Sequence, residues 1–459
     1  MAETTVLVAG GGASGVLLAA RLVQRSESVR VVLVDPHDEL GRGMAYATAC
    51  EAHLLNAPAA RMSAFPEEPE HFVRWLAERH PGRFAATSFV PRALYGDYLV
   101  AIAARAHDTA GSRLHHVRAS ATNVVLRGAG VHLTCSSGER IEGDAFVLAS
   151  GNAAPAWWPG MPTAAPGAQR VFASAWDERA LMPQHADEPV LLLGTGLTAI
   201  DAVLGLHQNG HRGPVWMVSR RGLLPHEHRL LDAPPAAAHP DGDAIEDLLG
   251  YARMLARDAR GATTWRAAID GARPKVNRLW RSMSVRDQRS FVRHALPYWN
   301  VHRHRMAPET AKIVADFIAT GRLRMLAGRT GEMTSGATVV RVPVRLRGSD
   351  EEIVLDVARV INCSGPEHDV RKLANPLMQG LLAQGSLTPT ALGIGAEIAP
   401  NGALVDRDGV ASERLFAIGP VRFGALIETT AIPEIAVQAR ELADALSPST
   451  KRSPSSTRR

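Results

Sequence analysis

Two short glycine-rich runs constrain this chain more than any other feature. The first, Gly10, Gly12 and Gly15 in "VLVAGGGASG", follows a β-branched apolar run and precedes "VLLAARLVQRS", which has helical periodicity. At a strand–helix junction the spacing GxGxxG has a mechanical meaning. Its first glycine permits a tight turn, its second lets a pyrophosphate approach the backbone, and its third lets helix and strand pack closely. Ser14 lies in the same loop, and phosphates would sit at the positive helix N-terminus. Asp35 follows Gly15 by 20 residues, at the end of the next buried run, "VRVVLVD". A carboxylate there accepts hydrogen bonds from ribose hydroxyls.

The second run is Gly194, Gly196, Thr198 and Ala199 in "LLLGTGLTAID", again between a strand and a helix. Its following strand ends "VSRRG", placing Arg220 and Arg221 where the first unit has Asp35. Guanidinium groups suit a 2′-phosphate that a carboxylate would repel, so NADPH is favoured over NADH. The plainer alternative is two solvated arginines in a loop. A chain with two such units is expected to be α/β, with two Rossmann-like dinucleotide-binding domains.

Its 459 residues exceed one ordinary core and fit two or three domains. At 46% hydrophobic and 21% charged residues, the composition argues against a largely disordered chain. The formal charge is +5, but Lys451, Arg452, Arg458 and Arg459 supply four of those charges within the last nine positions. The remaining body, near +1, carries no basic excess of the kind nucleic acid requires, so no nucleic-acid partner is expected. Cys50, Cys135 and Cys363 form no CxxC or CxxxxC pair, which leaves out a redox dithiol, and no Cys/His spacing suggests a metal site. The N-terminus has no signal-peptide pattern, and no stretch reaches the roughly 18 apolar residues of a membrane span. A cytoplasmic location without membrane association is expected.

Punctuation along the chain divides it. A Pro/Ala-rich stretch, "NAAPAWWPGMPTAAPGA", ends a first part of the N-terminal nucleotide domain at 1–165. The second nucleotide domain begins at 166–225 and yields to a helical insertion at 226–325, rich in Arg, His and Trp. Return strands at 326–355 complete that domain, 356–446 complete the first one, and 447–459 form a basic tail expected to be disordered. An internal echo supports this nesting. "VLASG" at 147–151 and "INCSG" at 361–365 both read as apolar strands closing on Ser-Gly, as if marking the chain's exit from the first domain and its return.

Several long stretches, among them "GRGMAYATACEAHLLNAPAARMSAFP", "GTGLTAIDAVLGLHQNGHRGPVWMVSRRGLLPHEH", "LPYWNVHRHRMAP" and "ALIETTAIPEIAVQA", resemble a bacterial FAD/NAD(P)-binding protein family. That family lies within the two-dinucleotide-binding-domain flavoprotein superfamily, and the likeness runs from Val8 to Ala439. More distant relatives include N-hydroxylating and Baeyer–Villiger monooxygenases. The resemblance implies FAD at the first site and NADPH at the second. It places 10–15, Asp35, Asn56, Ser150 and Gly151, and the Ser364 and Gly365 crossover beside FAD. Gly419 ends the last strand, where such flavoproteins often continue with Asp; here Pro420 follows. Glu428, Thr429 and Thr430 are then candidates to face the flavin, against a reading in which they simply cap the final helix. The FxGxxxHxxxW/F pattern of the Baeyer–Villiger and flavin-containing monooxygenases is missing; "VFASAWDERAL" at 171–181 lacks its glycine and histidine.

The function implied is an oxidoreductase in which NADPH reduces FAD, with oxygenation of a small organic substrate as the leading expectation. A reductase serving a non-oxygen acceptor, or a non-catalytic redox sensor, are the alternatives. No catalytic acid or base is assigned, and the oligomeric state, including a homo-oligomer, is open. Residues 302–305, His-Arg-His-Arg, read either as an anion clamp or as part of an interdomain salt-bridge network.

Overall fold

The computed structural model describes residues 3–162, 170–229 and 265–447. The basic tail and much of the Pro/Ala-rich stretches fall outside the described residues.

The two glycine runs each open a parallel sheet, as alternating β-branched strands and apolar helices require. In the first, six strands run in the order 403–405, 411–417, 145–148, 4–9, 29–34, 114–117. All neighbours are parallel except the outermost pair at 403–417. Registers such as Ala9↔Val34, Ala9↔Leu148 and Leu148↔Ala417 align the carboxyl ends of the strands. Gly10, Asp35, residues 149–151 and Gly419 therefore emerge along one edge, where open α/β sheets bind ligands.

One face of this sheet is covered by helices Ala13–Arg25, Arg92–Ala110 and Ile432–Leu446 in a single core that includes Leu17, Leu22, Tyr95, Tyr98, Ile435 and Leu442. The other face packs against a three-stranded antiparallel sheet, 121–127, 130–135 and 140–143, and against helix Pro376–Gln384.

The second sheet has eight strands. Its parallel part is ordered 323–330, 215–219, 190–193, 359–362, 171–172. Strands 334–335, 340–346 and 352–357 add an antiparallel flank. Here one expectation is corrected. The "INCSG" strand, Arg359–Asn362, does not re-enter the first sheet; it pairs with Val190–Leu193 and Val171–Phe172 in the second. The physical reason is that a fully buried parallel strand carries no mark of its partner. Both "VLASG" and "INCSG" are the neighbours of a glycine-loop strand, each in its own sheet. The chain regains the first sheet later, at 403–417.

Between the strands at 215–219 and 323–330, helices Trp265–Ser282, Leu296–Arg303 and Pro308–Ala319 are inserted. Trp280 and Trp299 are buried and aim their indole N–H groups at Gly424 O (2.7 Å) and Glu428 Oε1 (2.9 Å). This insertion thereby packs on the C-terminal loop that follows the last strand of the first sheet. None of the helices among the described residues is long and apolar enough to cross a membrane.

Candidate functional site

The first loop is built by contact between backbones. Gly10 has φ +115°, and a Cβ there would lie 2.3 Å from the carbonyl oxygen of Ala149. At Gly15 a Cβ would lie 1.9 Å from the Gly10 carbonyl oxygen, so helix and strand approach as only glycine allows. Helix Ala13–Arg25 begins at Gly12 with no side-chain cap, leaving its first N–H groups free for an anion.

Asp35 lies beside this turn. Its Oδ2 accepts from Gly11 N at 2.7 Å, and its Oδ1 accepts from His37 N at 2.9 Å. The same Oδ1 also accepts from His37 Nδ1 at 2.8 Å, so it is Oδ2 that keeps a further lone pair for a sugar hydroxyl. Gly43, at φ +51°, approaches Gly12 from the loop after the second strand. Asn56 and Ser150 are exposed in the loops on this side, and Gly151 takes a left-handed conformation.

Gly419 closes the far side. A Cβ at Gly419 would lie 2.2 Å from Ser14 Oγ, so buried Ser14 faces this loop rather than open space. The Gly419 amide donates to Gln438 Oε1 (2.9 Å), and the Thr429 hydroxyl donates to the Gly419 carbonyl (2.8 Å). Gln438 in turn donates to Thr429 Oγ1 at 2.9 Å. Sequence reading missed Gln438, which looks like any polar residue in a helix. The Glu428 carboxylate does not cap the final helix, the second of its two readings. It accepts from Trp299 Nε1 and from Arg303 Nε (3.1 Å), and it is 4% exposed. Arg303, one of the four residues at 302–305, thus serves an internal ion pair, and buried Arg305 pairs with Asp270.

The second loop repeats the first. Gly194 has φ +120°, and its Cβ position lies 2.5 Å from Cys363 O, as Gly10 meets Ala149. Ser364 and Gly365 therefore lie beside this loop, not the first, which corrects their expected place. At Gly196 a Cβ would meet nothing within 4 Å, so this position faces open space, and helix Leu197–Gln208 starts there without a side-chain cap. Thr198 is half-buried on the first turn. Arg220 is exposed, while Arg221 donates to Arg293 O (2.8 Å) and lies over the Tyr298 ring.

The two units meet at Asp201, on the second glycine-loop helix. Arg92, which opens a helix of the first unit, grips both its oxygens at 2.6 and 3.1 Å. His53 Nε2 donates to Asp201 O (2.8 Å), so Nδ1 is the acceptor for the Thr48 hydroxyl at 2.7 Å. Burial lowers the His53 pKa, consistent with this neutral tautomer. Beside the junction lies a cavity of about 310 Å³ shared by Met44, Thr48 and Cys50 of the first unit and Thr198, Asp201 and Gln208 of the second. Neither Arg92 nor Asp201 has a local signature, because they are partners across 109 residues.

Two histidines near the insertion are also held neutral. Burial pushes His304 down to about 3 and His228 to about 4, with Arg303 and Arg305 respectively adding like charge. Unfolding would return both to an ordinary value near 6.5, so the unfolded chain binds more protons below that pH. Their contribution to stability is full above about pH 6.5 and declines as pH falls toward about 4, by about 1.4 kcal/mol per pH unit for each fully titrating histidine. We expect the thermal midpoint to drop between pH 7.5 and 5, and to drop less in His228→Asn; equal drops in both proteins would refute this assignment.

Residues 7–153 match the model of the family described as FAD-NAD(P)-binding. No curated protein matches the sequence. Among solved structures, the chain is similar to ornithine hydroxylase from Pseudomonas aeruginosa, at 18% identity and a TM-score of 0.64, covering 97% of this chain and 99% of that one. An ornithine N-hydroxylase from Kutzneria sp. 744, solved with FAD, NADP+ and L-ornithine, gives 16% and 0.61 over 97% and 99%. The FAD-bound cadaverine monooxygenase of Erwinia amylovora gives 13% and 0.66 over 97% and 95%. Residues 7–153 are therefore an FAD-NAD(P)-binding domain, and the chain as a whole has the fold of the two-dinucleotide-binding flavoproteins.

Proposed function

We propose that this protein is an NADPH-dependent flavoprotein monooxygenase acting on a small amine, with FAD at the 10–15 loop and NADPH at the 194–199 loop. The observation that carries the reading is the shared junction. Two glycine loops with uncapped helices stand on sheets that are docked to one another by Arg92–Asp201, with a cavity lined from both. Similarity in fold to ornithine and cadaverine hydroxylating enzymes supports the amine as the substrate class.

The bound nicotinamide and flavin supply the redox chemistry, and the protein supplies orientation and electrostatics. The uncapped N–H groups after Gly12 and Gly196 would hold the two pyrophosphates. Arg220 and Arg221 would take the 2′-phosphate, with Arg221 already oriented by Arg293 O and Tyr298. Arg92 and His53 keep the second unit seated on the first, so the donor and acceptor rings would be presented to one another without a search over domain orientations.

Anaerobic mixing of the FAD-loaded protein with NADPH tests this. Flavin absorbance is expected to bleach faster with NADPH than with NADH, and oxygen is then expected to be consumed in step with hydroxylation of a diamine or amino acid. Gly196→Ala is expected to keep its fold and its FAD, since the added methyl meets no protein atom, yet to weaken NADPH roughly tenfold or more by occupying the pyrophosphate's space. Bleaching without oxygen-dependent product would make the protein a reductase for another acceptor; no bleaching with either nucleotide would end the hydride-transfer reading.

A further inference from the structure

A second cavity, about 600 Å³, has no residue of either glycine loop in its lining. Helix Ile432–Leu446 turns Ile435, Ala436, Ala439 and Leu442 toward helix Ala13–Arg25 and the first core. Its other face, Pro433, Glu434, Val437, Gln438 and Glu441, walls this cavity. Opposite stands one face of the inserted helix Trp265–Ser282, with Asp270, Arg273, Asn277 and Arg281; Pro400, Arg422 and Leu426 close one end.

The charges around it do not balance. Three of its carboxylates are already held by guanidiniums: Glu434 by Arg273 at 2.5 Å, Glu428 by Arg303 at 3.1 Å, and Asp270 by Arg305 and, at 3.6 Å, by Arg61. Two cations are left over. Arg281 is exposed and forms no ion pair among the described residues. Arg422 is 4% exposed, yet among the described residues its guanidinium makes one hydrogen bond, to Pro400 O at 3.1 Å, and its Nε has no partner. Glu441 is the acid nearest in effect, and it makes no ion pair with Arg422 within 4 Å. Burial, reinforced by Arg281, pulls the Arg422 guanidinium down to about 10. A buried cation with an idle donor and a like charge beside it is an unfavourable arrangement that an anion would relieve.

We propose that this cavity is a binding site for a small organic anion, a carboxylate or a phosphate ester, anchored by Arg281 and Arg422. Its volume is that of an ordinary small-molecule site. The occupant would touch Gln438, whose Oε1 holds the Gly419 amide, so the site is also connected to the first nucleotide loop.

The test is titration of the purified full-length protein with citrate and, separately, with inorganic phosphate, followed by calorimetry and thermal shift. Saturable binding of at least one of them is expected. Arg281→Gln should weaken it roughly tenfold or more, the loss of one charge-assisted pair. Arg281 is exposed, so this variant should fold; Arg422→Lys, which keeps the charge in the core, should weaken binding without unfolding the protein. Citrate binding alone would make the natural ligand a carboxylate, and phosphate binding alone a phosphate ester. Phosphate binding that survives Arg281→Gln but disappears in Arg220→Gln/Arg221→Gln would place the ion at the second glycine loop and overturn the proposal. So would no saturable binding of either anion.

Discussion

Gly15→Ala should purify without FAD. The methyl would lie 1.9 Å from the Gly10 carbonyl oxygen, a backbone atom that cannot rotate away as a side chain could. Relief requires the helix to retreat from its strand. Neighbouring contacts oppose this, since Gly10 is itself pressed against Ala149 O and buried Ser14 against Gly419. Overpacking of this kind costs about 1–3 kcal/mol in stability. The larger effect is on the ligand, because the N–H groups after Gly12 move with the helix and lose their aim at the phosphates. The ratio of flavin to protein absorbance is expected to fall by roughly tenfold or more, the consequence of losing a few kcal/mol of phosphate contacts. Gly12→Ala offers the comparison: its methyl would stand 3.4 Å from Gly43 Cα, ordinary contact, so stability should hold while loading falls because the methyl takes the pyrophosphate's space, as at Gly196. Wild-type loading in Gly15→Ala would mean that the cofactor does not use this turn.

Glu428→Ala is expected to destabilise the protein by about 3–5 kcal/mol, the usual cost of removing one partner from a buried ion pair. The carboxylate is 4% exposed and takes hydrogen bonds from Trp299 and Arg303, and Asn277 Oδ1 accepts from the amides of Ile427 and Glu428. Without it, Arg303 keeps only Glu434, at 3.8 Å, as an acidic neighbour in ion-pair range among the described residues. Burial already lowers the Arg303 pKa, so without these acids a charged guanidinium would be left poorly compensated in the interior. Glu428→Gln preserves the shape and an acceptor for Trp299, and should fall between the two. Because Thr429 follows directly and holds Gly419, FAD should also be retained less well on dilution. Thermal unfolding of the three proteins, with flavin release followed by fluorescence, checks both effects. Asp356→Ala, which breaks the exposed pair with Arg341, should leave the midpoint unchanged. A Glu428→Ala midpoint equal to wild type would show that the insertion is not held to the C-terminal loop through this carboxylate.

Much of this architecture could be read in advance from local rules. A strand that must turn sharply into a helix and keep its backbone exposed to a ligand needs glycine at Gly10 and Gly194, and both have positive φ. The alternation of apolar strands with apolar helices then implied parallel sheets, and the sheet registers do bring Asp35 and Gly419 to the edge where Gly10 emerges. Local rules worked because the constraint in each case acts within a few residues of the one that carries it.

Tertiary structure decided the rest. Strand Arg359–Asn362 could have joined either sheet on its own pattern; pairing with Val190–Leu193 placed Ser364 and Gly365 at the second loop. The side chain of Glu428 was legible only as an acid before a helix, until the insertion put Trp299 and Arg303 against it. Arg92 and Asp201, or Arg281 and Arg422, are ordinary charged residues in their own segments. They acquire roles only when distant elements are brought together. Glycine geometry is written into the chain locally, whereas a charge's meaning depends on which other charges, at what depth, the completed fold sets beside it.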